Sequence, residues 1–350
     1  MAEDKTLIKN LLKDPYSVPM EDFFETTETE IDEFNERAHK KGKGYCCPSF
    51  PEFDKRMEGL DLGLFMFAGE SNSGKSALMM NLIYDYCTNP DNKLFGLYYS
   101  LDDSKDEIIP RFVAMDQLIP IGVAAKPKRY EEMIENGEEG SATYQEWLDK
   151  REDGLQRLKD LKRQFKIIDG EKITCGEQLL DHARKAQMFV KAFDPDWNII
   201  IGIDSLSDMT FPSKKFSGDK ELNDYIAKTV KTWAVTELKV PIFGSLHLKK
   251  FEQNRRPQVG DVKESGRYIY EASVLFLVHN DVNKSKQSAT IYHNEENTDE
   301  KMPILEMDWA KNKKSSYKGK TYHYFTPNYS KITECSTDVM KRFDALIYTN

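Results

Sequence analysis

Three groups of residues in this chain have types and spacings suited to work on a phosphate. The first is Gly69-Glu70-Ser71-Asn72-Ser73-Gly74-Lys75-Ser76, with the spacing G-x-x-x-x-G-K-S. Glycines at both ends permit a tight wrap, and successive backbone N–H groups then face an anion at a helix start. Lys75 reaches β- and γ-phosphates, and Ser76 offers a hydroxyl to Mg²⁺. The second group is acidic. Asp204 ends the apolar run Ile199 to Ile203, where a carboxylate orients a metal-bound water, with Asp208 as the alternative. Asp102 ends the run Leu94 to Leu101, placed to hold and deprotonate an attacking water, whereas Asp103 reads as a cap or surface group. The third is Ser245 and His247, at the end of Val240 to His247, positioned to sense a γ-phosphate.

These residues need a sheet to hold them. The runs at about 62–68, 94–101, 198–204, 240–247 and 272–278 are continuous and apolar, as strands buried on both faces must be. Helical segments separate them, at about 76–86, 104–115, 174–193 and 221–237. Strand alternating with helix predicts an α/β fold with a central, mostly parallel sheet. Phe165 to Ile168 is a short further strand, and two hairpin-like segments follow at Ser288 to His293 and Ile304 to Trp309. Residues 44–60 form a loop and short helix packing beside the nucleotide or over the first strand. Residues 1–44 read as an arm and linker helix, and 45–330 as the phosphate-handling domain. A charged helical insertion occupies about 120–195, and 331–350 is a short tail with one helix.

Composition narrows the class. Of the 350 residues 39% are hydrophobic, enough for a full core, and no apolar run reaches the length of a membrane span. The first ten residues lack the apolar stretch of a secretory signal. Five cysteines, odd in number and without C-x-x-C spacing, predict reduced thiols in a cytoplasmic protein rather than disulfides or a zinc site. A net charge of −9 gives no overall pull toward nucleic acid, so any such contact rests on local basic patches. Two patches stand out. Lys249, Lys250, Arg255, Arg256, Lys263 and Arg267 lie in a polar loop after His247, and Lys311 to Lys320 forms a basic turn between two strands.

Taken together, residues about 45–330 resemble the motor domain of hexameric, RecA-fold replicative helicases of the DnaB type, including phage members. Gly69 to Ser76 matches that family's Walker A segment, and Ile203-Asp204 its Walker B. Ser100-Leu101-Asp102 is similar to the family's Ser-Leu-Glu, whose acid is the catalytic base; here it is one methylene shorter. Ser245 to Lys249 resembles the γ-phosphate sensor segment, with His247 where many bacterial members have Gln. Asp261-Val262-Lys263-Glu264-Ser265-Gly266 resembles the DNA-binding loop Asp-Leu-Arg-Glu-Ser-Gly, a match that generic phosphate-loop enzymes lack. Lys313 stands at the family's arginine-finger position and Lys311 at a second basic one. No stretch resembles the N-terminal primase-interacting domain of bacterial members.

The resemblance implies a RecA-like core that hydrolyses ATP with Mg²⁺ at subunit interfaces and moves on single-stranded DNA. It implies Lys75, Asp102, Asp204, His247, Lys311 and Lys313 as catalytic residues, and Ser76 and Asp204 on the metal. Lys249, Lys250, Arg255, Arg256, Lys263, Glu264, Gly266 and Arg267 are the implied DNA contacts. Self-association into a hexameric ring, a primase or loader partner, no membrane and, for a phage-encoded protein, a host cytoplasm follow from the same resemblance. Two rivals remain: a filament-forming RecA-like recombinase or mediator, and an ATP-gated assembly or loading protein without unwinding.

Overall fold

The computed structural model describes residues 25–40, 44–250, 255–263, 266–284, 286–294 and 299–348. The chain divides into two units, 1–44 and 45–350. In the first, α1 spans Glu25–Lys40, with acidic residues early in the helix, as its dipole favours. Ile31 and Phe34 are largely exposed, so this helix builds no core of its own.

The second unit is built on one sheet. Six strands run parallel: β1 (Gly63–Gly69), β2 (Leu94–Ser100), β3 (Phe165–Asp169), β4 (Asn198–Asp204), β5 (Pro241–His247) and β6 (Val274–Asn280). Then come β7 (Tyr292–Asn294), β8 (Lys301–Asn312), β9 (Lys320–Thr326) and β10 (Lys331–Glu334). The order across the sheet is β10-β9-β8-β6-β1-β5-β4-β2-β3, with β7 beside β8. The four later strands pair antiparallel. In sheet order, β1, β5, β4 and β2 are consecutive, so the residues after their carboxyl ends fall side by side.

Two cores cover the faces. Side chains alternate along a strand, so Phe65 and Phe67 of β1 join one core while Leu64, Met66 and Ala68 join the other. On the first face lie α2 (Pro51–Met57), α3 (Lys75–Thr88) and α4 (Lys105–Gln117). Phe67 stacks on Phe276 at 4.8 Å, and Phe53 of α2 packs on Trp309 at 5.4 Å. The leader helix thus packs on the β6–β8 side of the core. Each fully buried aromatic of this kind contributes about 1.5–3 kcal/mol by leaving water. Ser104 starts α4: its backbone N–H donates to Glu107 one turn later, at 3.0 Å.

Two sequence expectations change here. The helices α5 (Ile121–Ala125), α6 (Pro127–Glu135) and α7 (Ser141–Asp160) form the charged insertion, but it ends well before 195. Strand β3 belongs to the main sheet, and α8 (Gly176–Phe193) is a core helix with Leu179 and Ala183 buried on the second face. The opposite face of that helix is polar, which hid its role. α9 (Asp219–Thr232) lies beside it on the same core, through Ile226, Ala227 and Val230. The end of the chain is also no loose tail. Strand β10 pairs with β9, and α12 (Thr337–Tyr348) buries Met340 and Phe343 against Tyr322. Two short helices precede it, α10 (Arg267–Glu271) and α11 (Asp281–Lys284).

Candidate nucleotide site and nucleic-acid loop

The phosphate loop turns between β1 and α3. A Cβ at Gly69 would fall 2.5 Å from Ser73 Oγ and 2.8 Å from the Val278 carbonyl, so this position has no room for a side chain. Gly74, at φ +97, starts α3 in a left-handed conformation that favours glycine. Ser73 Oγ is buried without a hydrogen-bond partner, an orphan polar atom inside a loop built to receive an anion. Lys75 is only 6% exposed, and its Nζ donates to the Glu70 carbonyl at 2.6 Å. Burial pushes this ammonium down to about 8, against the pull of Asp204, Glu70 and Asp102. The Glu70 side chain pairs with Lys284 of α11 at 2.9 Å.

Beside the loop lies a cleft of about 880 Å³, lined among others by Lys75, Ser76, Asp102, Asp204 and His247. That volume suits a nucleotide. Asp204 is nearly buried, and its two carboxylate oxygens accept hydrogen bonds from Tyr98 Oη (2.8 Å) and from Ser245 Oγ. Tyr98 reaches it because Gly202, its neighbour in register on β4, has no side chain. A Cβ there would lie 3.1 Å from the Tyr98 ring and 2.5 Å from Ile83 Cδ1. Neither Tyr98 nor the reason for Gly202 was legible as part of the site; the only signal was a glycine interrupting a buried run.

Asp102 hangs from the tip of β2, its backbone N–H donating to the Asp204 carbonyl at 3.4 Å. Partial burial, then Asp208, Asp103 and Asp204, raise its carboxyl above the usual range. Asp103 instead pairs with Arg111 at 2.6 Å, as a surface group. Ligand atoms of Asp102, Asp208 and His247 lie within 4.8 Å of one another. Burial and Lys75 push the half-buried His247 below the usual range, so the ring is neutral near pH 7. Strand tips therefore bring Lys75, Ser76, Asp102, Asp204 and His247 to one place. A hydroxyl and a carboxylate are oxygen donors, the set that suits Mg²⁺.

The basic loop is tied to β5. The N–H of Lys249 donates to the Asp261 carbonyl (2.7 Å), that of Lys263 donates to the His247 carbonyl (3.1 Å), and Leu248 pairs with Val262. Lys249, Lys250, Lys263, Gly266 and Arg267 are exposed, with Arg267 pairing Glu271 at 2.7 Å. Arg255 and Arg256 are otherwise engaged, contrary to the expectation that they face phosphates. Arg255 forks onto Asp261 (2.6 and 2.7 Å), and Arg256 binds the buried Glu306 (2.7–3.0 Å) and Asp281 (3.2 Å). A loop of low apolar content needs such polar anchors, and two arginines provide them. Glu264 lies outside the described residues.

Lys311 is a strand residue of β8 rather than part of the turn. Its Nζ donates to the carbonyls of Ile269 and Tyr270 (2.8 Å for the second). Burial, with Lys313 and Lys231, pushes it down to about 8. Lys313 is exposed in the turn. Lys311 pairs with Leu275 near the start of β6, whereas the phosphate loop begins beside Val278. The two lysines are thus at the end of the sheet away from their own phosphate loop.

A family model described as the DnaB-like helicase C terminal domain matches residues 47–334. The chain belongs to the DnaB-like helicase family. It is an ATP-dependent DNA helicase with a RecA-like core, and the recombinase and loading-protein alternatives are not favoured. Two solved structures share the helicase's fold. One is the ATPase domain of a phage helicase, with a TM-score of 0.70 and 18% identity over 88% of this chain and 98% of that one. The other concerns a DnaB-like replicative helicase and its interactions with primase, with a TM-score of 0.68 and 19% identity over 96% of this chain and 76% of that one. No curated protein sequence matches the helicase. None of its helices, among the described residues, is long and apolar enough to cross a membrane.

Proposed function

We propose that this helicase hydrolyses ATP between the subunits of a hexameric ring and moves along single-stranded DNA in the channel. Lys75 and the loop N–H groups of Gly69 to Ser76 bind the β- and γ-phosphates. Ser76 and Asp204 hold Mg²⁺, which when bound draws negative charge from the phosphate oxygens. Asp102 accepts the proton of the water that attacks the γ-phosphorus, as the bond to ADP breaks. A general base of this kind contributes about 10²–10⁴-fold. Tyr98 and Ser245 fix the Asp204 carboxylate, and His247 donates to the γ-phosphate.

One observation carries this reading: the backbone ladder between His247–Lys249 and Asp261–Lys263. It supports a loop whose Lys263 shifts with the strand that senses the nucleotide. Lys249, Lys250, Lys263 and Arg267 then hold sugar-phosphate backbone rather than bases, with little sequence preference. The placement of Lys311 and Lys313 away from their own phosphate loop supports their action on the nucleotide of the next subunit. A primase or loader is a further proposed partner.

The test is strand displacement on a forked DNA duplex with Mg-ATP. Native protein is expected to displace the strand and Lys75→Ala to lose activity by at least ~100-fold. Equal displacement by the two would overturn the assignment of the site.

A further inference from the structure

At the end of the sheet remote from the phosphate loop, Lys231, Lys311, Lys313 and Lys314 converge from two elements and a turn. Ser273, just before β6, gathers two of them. Its Oγ accepts from Lys231 Nζ and its carbonyl from the Lys313 N–H, both at 2.9 Å. Lys314 Nζ donates to the Leu62 carbonyl at 2.6 Å. Gly63 makes the space: a Cβ there would fall 2.8 Å from Ser273 Oγ and 3.2 Å from Lys314 Cε. Lys311 rests on the last carbonyls of α10 and reaches Lys313. The carboxylate acting on Lys231 and Lys311 is that of Glu271, which is already paired with Arg267. Like charges partly withdrawn from water repel one another, and burial together with this repulsion holds Lys231 and Lys311 below the usual lysine range. A polyanion relieves both costs.

Three polyanions are at hand in a helicase, and position selects among them. The chain's own nucleotide is excluded, because Gly63 and Gly69 stand at opposite ends of β1, about 20 Å apart at the rise of a strand. DNA is disfavoured, because the Lys263 loop is bonded to the tip of β5, at the other end of the sheet. The triphosphate held by a second copy remains. Lysine is a compact cation without the bidentate fork of arginine, so one lysine at a finger position leaves phosphate oxygens uncovered, and several ammonium groups supply the missing donors.

We propose that Lys231 and Lys314 complete, with Lys311 and Lys313, a four-lysine cradle for the γ-phosphate of the nucleotide bound by the neighbouring subunit, with Lys231 acting there as a catalytic residue. This rests on the proposed trans action of Lys311 and Lys313. The cradle neutralises charge on the phosphoryl oxygens as the bond to ADP breaks.

Full-length Lys231→Gln is compared with Lys231→Arg, Lys314→Gln and Lys313→Gln in DNA-stimulated ATP turnover, with affinity for a fluorescent ADP measured alongside. Lys231→Gln and Lys314→Gln are expected to lower kcat at least tenfold with ADP affinity within twofold of native, and Lys231→Arg to retain most of the rate. Each Gln variant is then co-expressed with Lys75→Ala. In a randomly mixed ring one interface in four joins an intact phosphate loop to an intact cradle, so about a quarter of the native rate returns. A misfolded variant gives no such return. Lys231→Gln and Lys314→Gln with more than half the native kcat would overturn the cradle; if Lys313→Gln is meanwhile inactive and rescued by mixing, the trans reading stands. Inactive Gln variants that fold, bind ADP and are not rescued would overturn both.

Discussion

Replacing Glu334 with glutamine is expected to expose a pH dependence of stability that the native protein conceals. The Glu334 carboxylate accepts the backbone N–H groups of Glu52 (2.6 Å) and Phe53 (2.8 Å) and so caps α2. His323, fully buried on β9, lies 3.8 Å away. Burial lifts the Glu334 carboxyl from 4.5 to about 7 and pushes His323 from 6.5 to about 4. The signs oppose. Between those two values for Glu334 the folded chain binds more protons than the unfolded one, so stability is present below 4.5 and is lost as pH rises through 7. For His323 the folded chain binds fewer, so stability grows as pH rises from 4 to 6.5. At about 1.4 kcal/mol per pH unit, each contribution changes by about 3 kcal/mol over the overlap, and in the native chain they nearly cancel. Glutamine keeps a carbonyl acceptor for the two N–H groups and removes the titration. Urea unfolding followed by tryptophan fluorescence, at several pH values from 4.5 to 6.5, measures the difference between native and Glu334→Gln. That difference should move by about 3 kcal/mol, the variant gaining relative to native as pH rises. A difference independent of pH would refute the reasoning.

Two further outcomes bear on the nucleotide site. Tyr98→Phe keeps the ring over Gly202 and removes one donor to Asp204; a hydrogen bond to a charged group contributes about 1.5–3 kcal/mol, so turnover should fall about tenfold or more, and an unchanged kcat would release Tyr98 from this role. With Lys75 held at about 8 before nucleotide arrives, ATP must bind with uptake of a proton above that pH, so affinity for a fluorescent ATP analogue should weaken from about pH 8 to about pH 9.5 and stay level below about pH 7; affinity flat across the whole range would contradict the burial argument.

The strands were legible because burial on both faces leaves an apolar run that no polar residue interrupts. Lys75, Asp102, Asp204 and His247 were legible for the same reason: each follows such a run, and parallel strands deliver their ends to one edge. What escaped was set by neighbours far away in sequence. Tyr98 joins the site through strand register with Gly202. Arg256 looked like a phosphate contact until Glu306, fifty positions on, came beside it. Lys284 anchors Glu70 from a short helix that carries no pattern of its own. The polar outer face of α8 concealed a core helix, and the brevity of β10 concealed its place in the sheet.

The sheet is bounded by β3, five residues long, and β10, four residues long. Short outer strands offer little backbone for another chain to pair with. Copies of this protein therefore have to recognise one another through side chains and bound phosphates instead of a shared main-chain ladder. Contacts of that kind weaken with added salt and change with nucleotide state. Assembly is thereby left reversible, so that a ring can be opened around a strand of DNA and closed again without unfolding any part of its subunits.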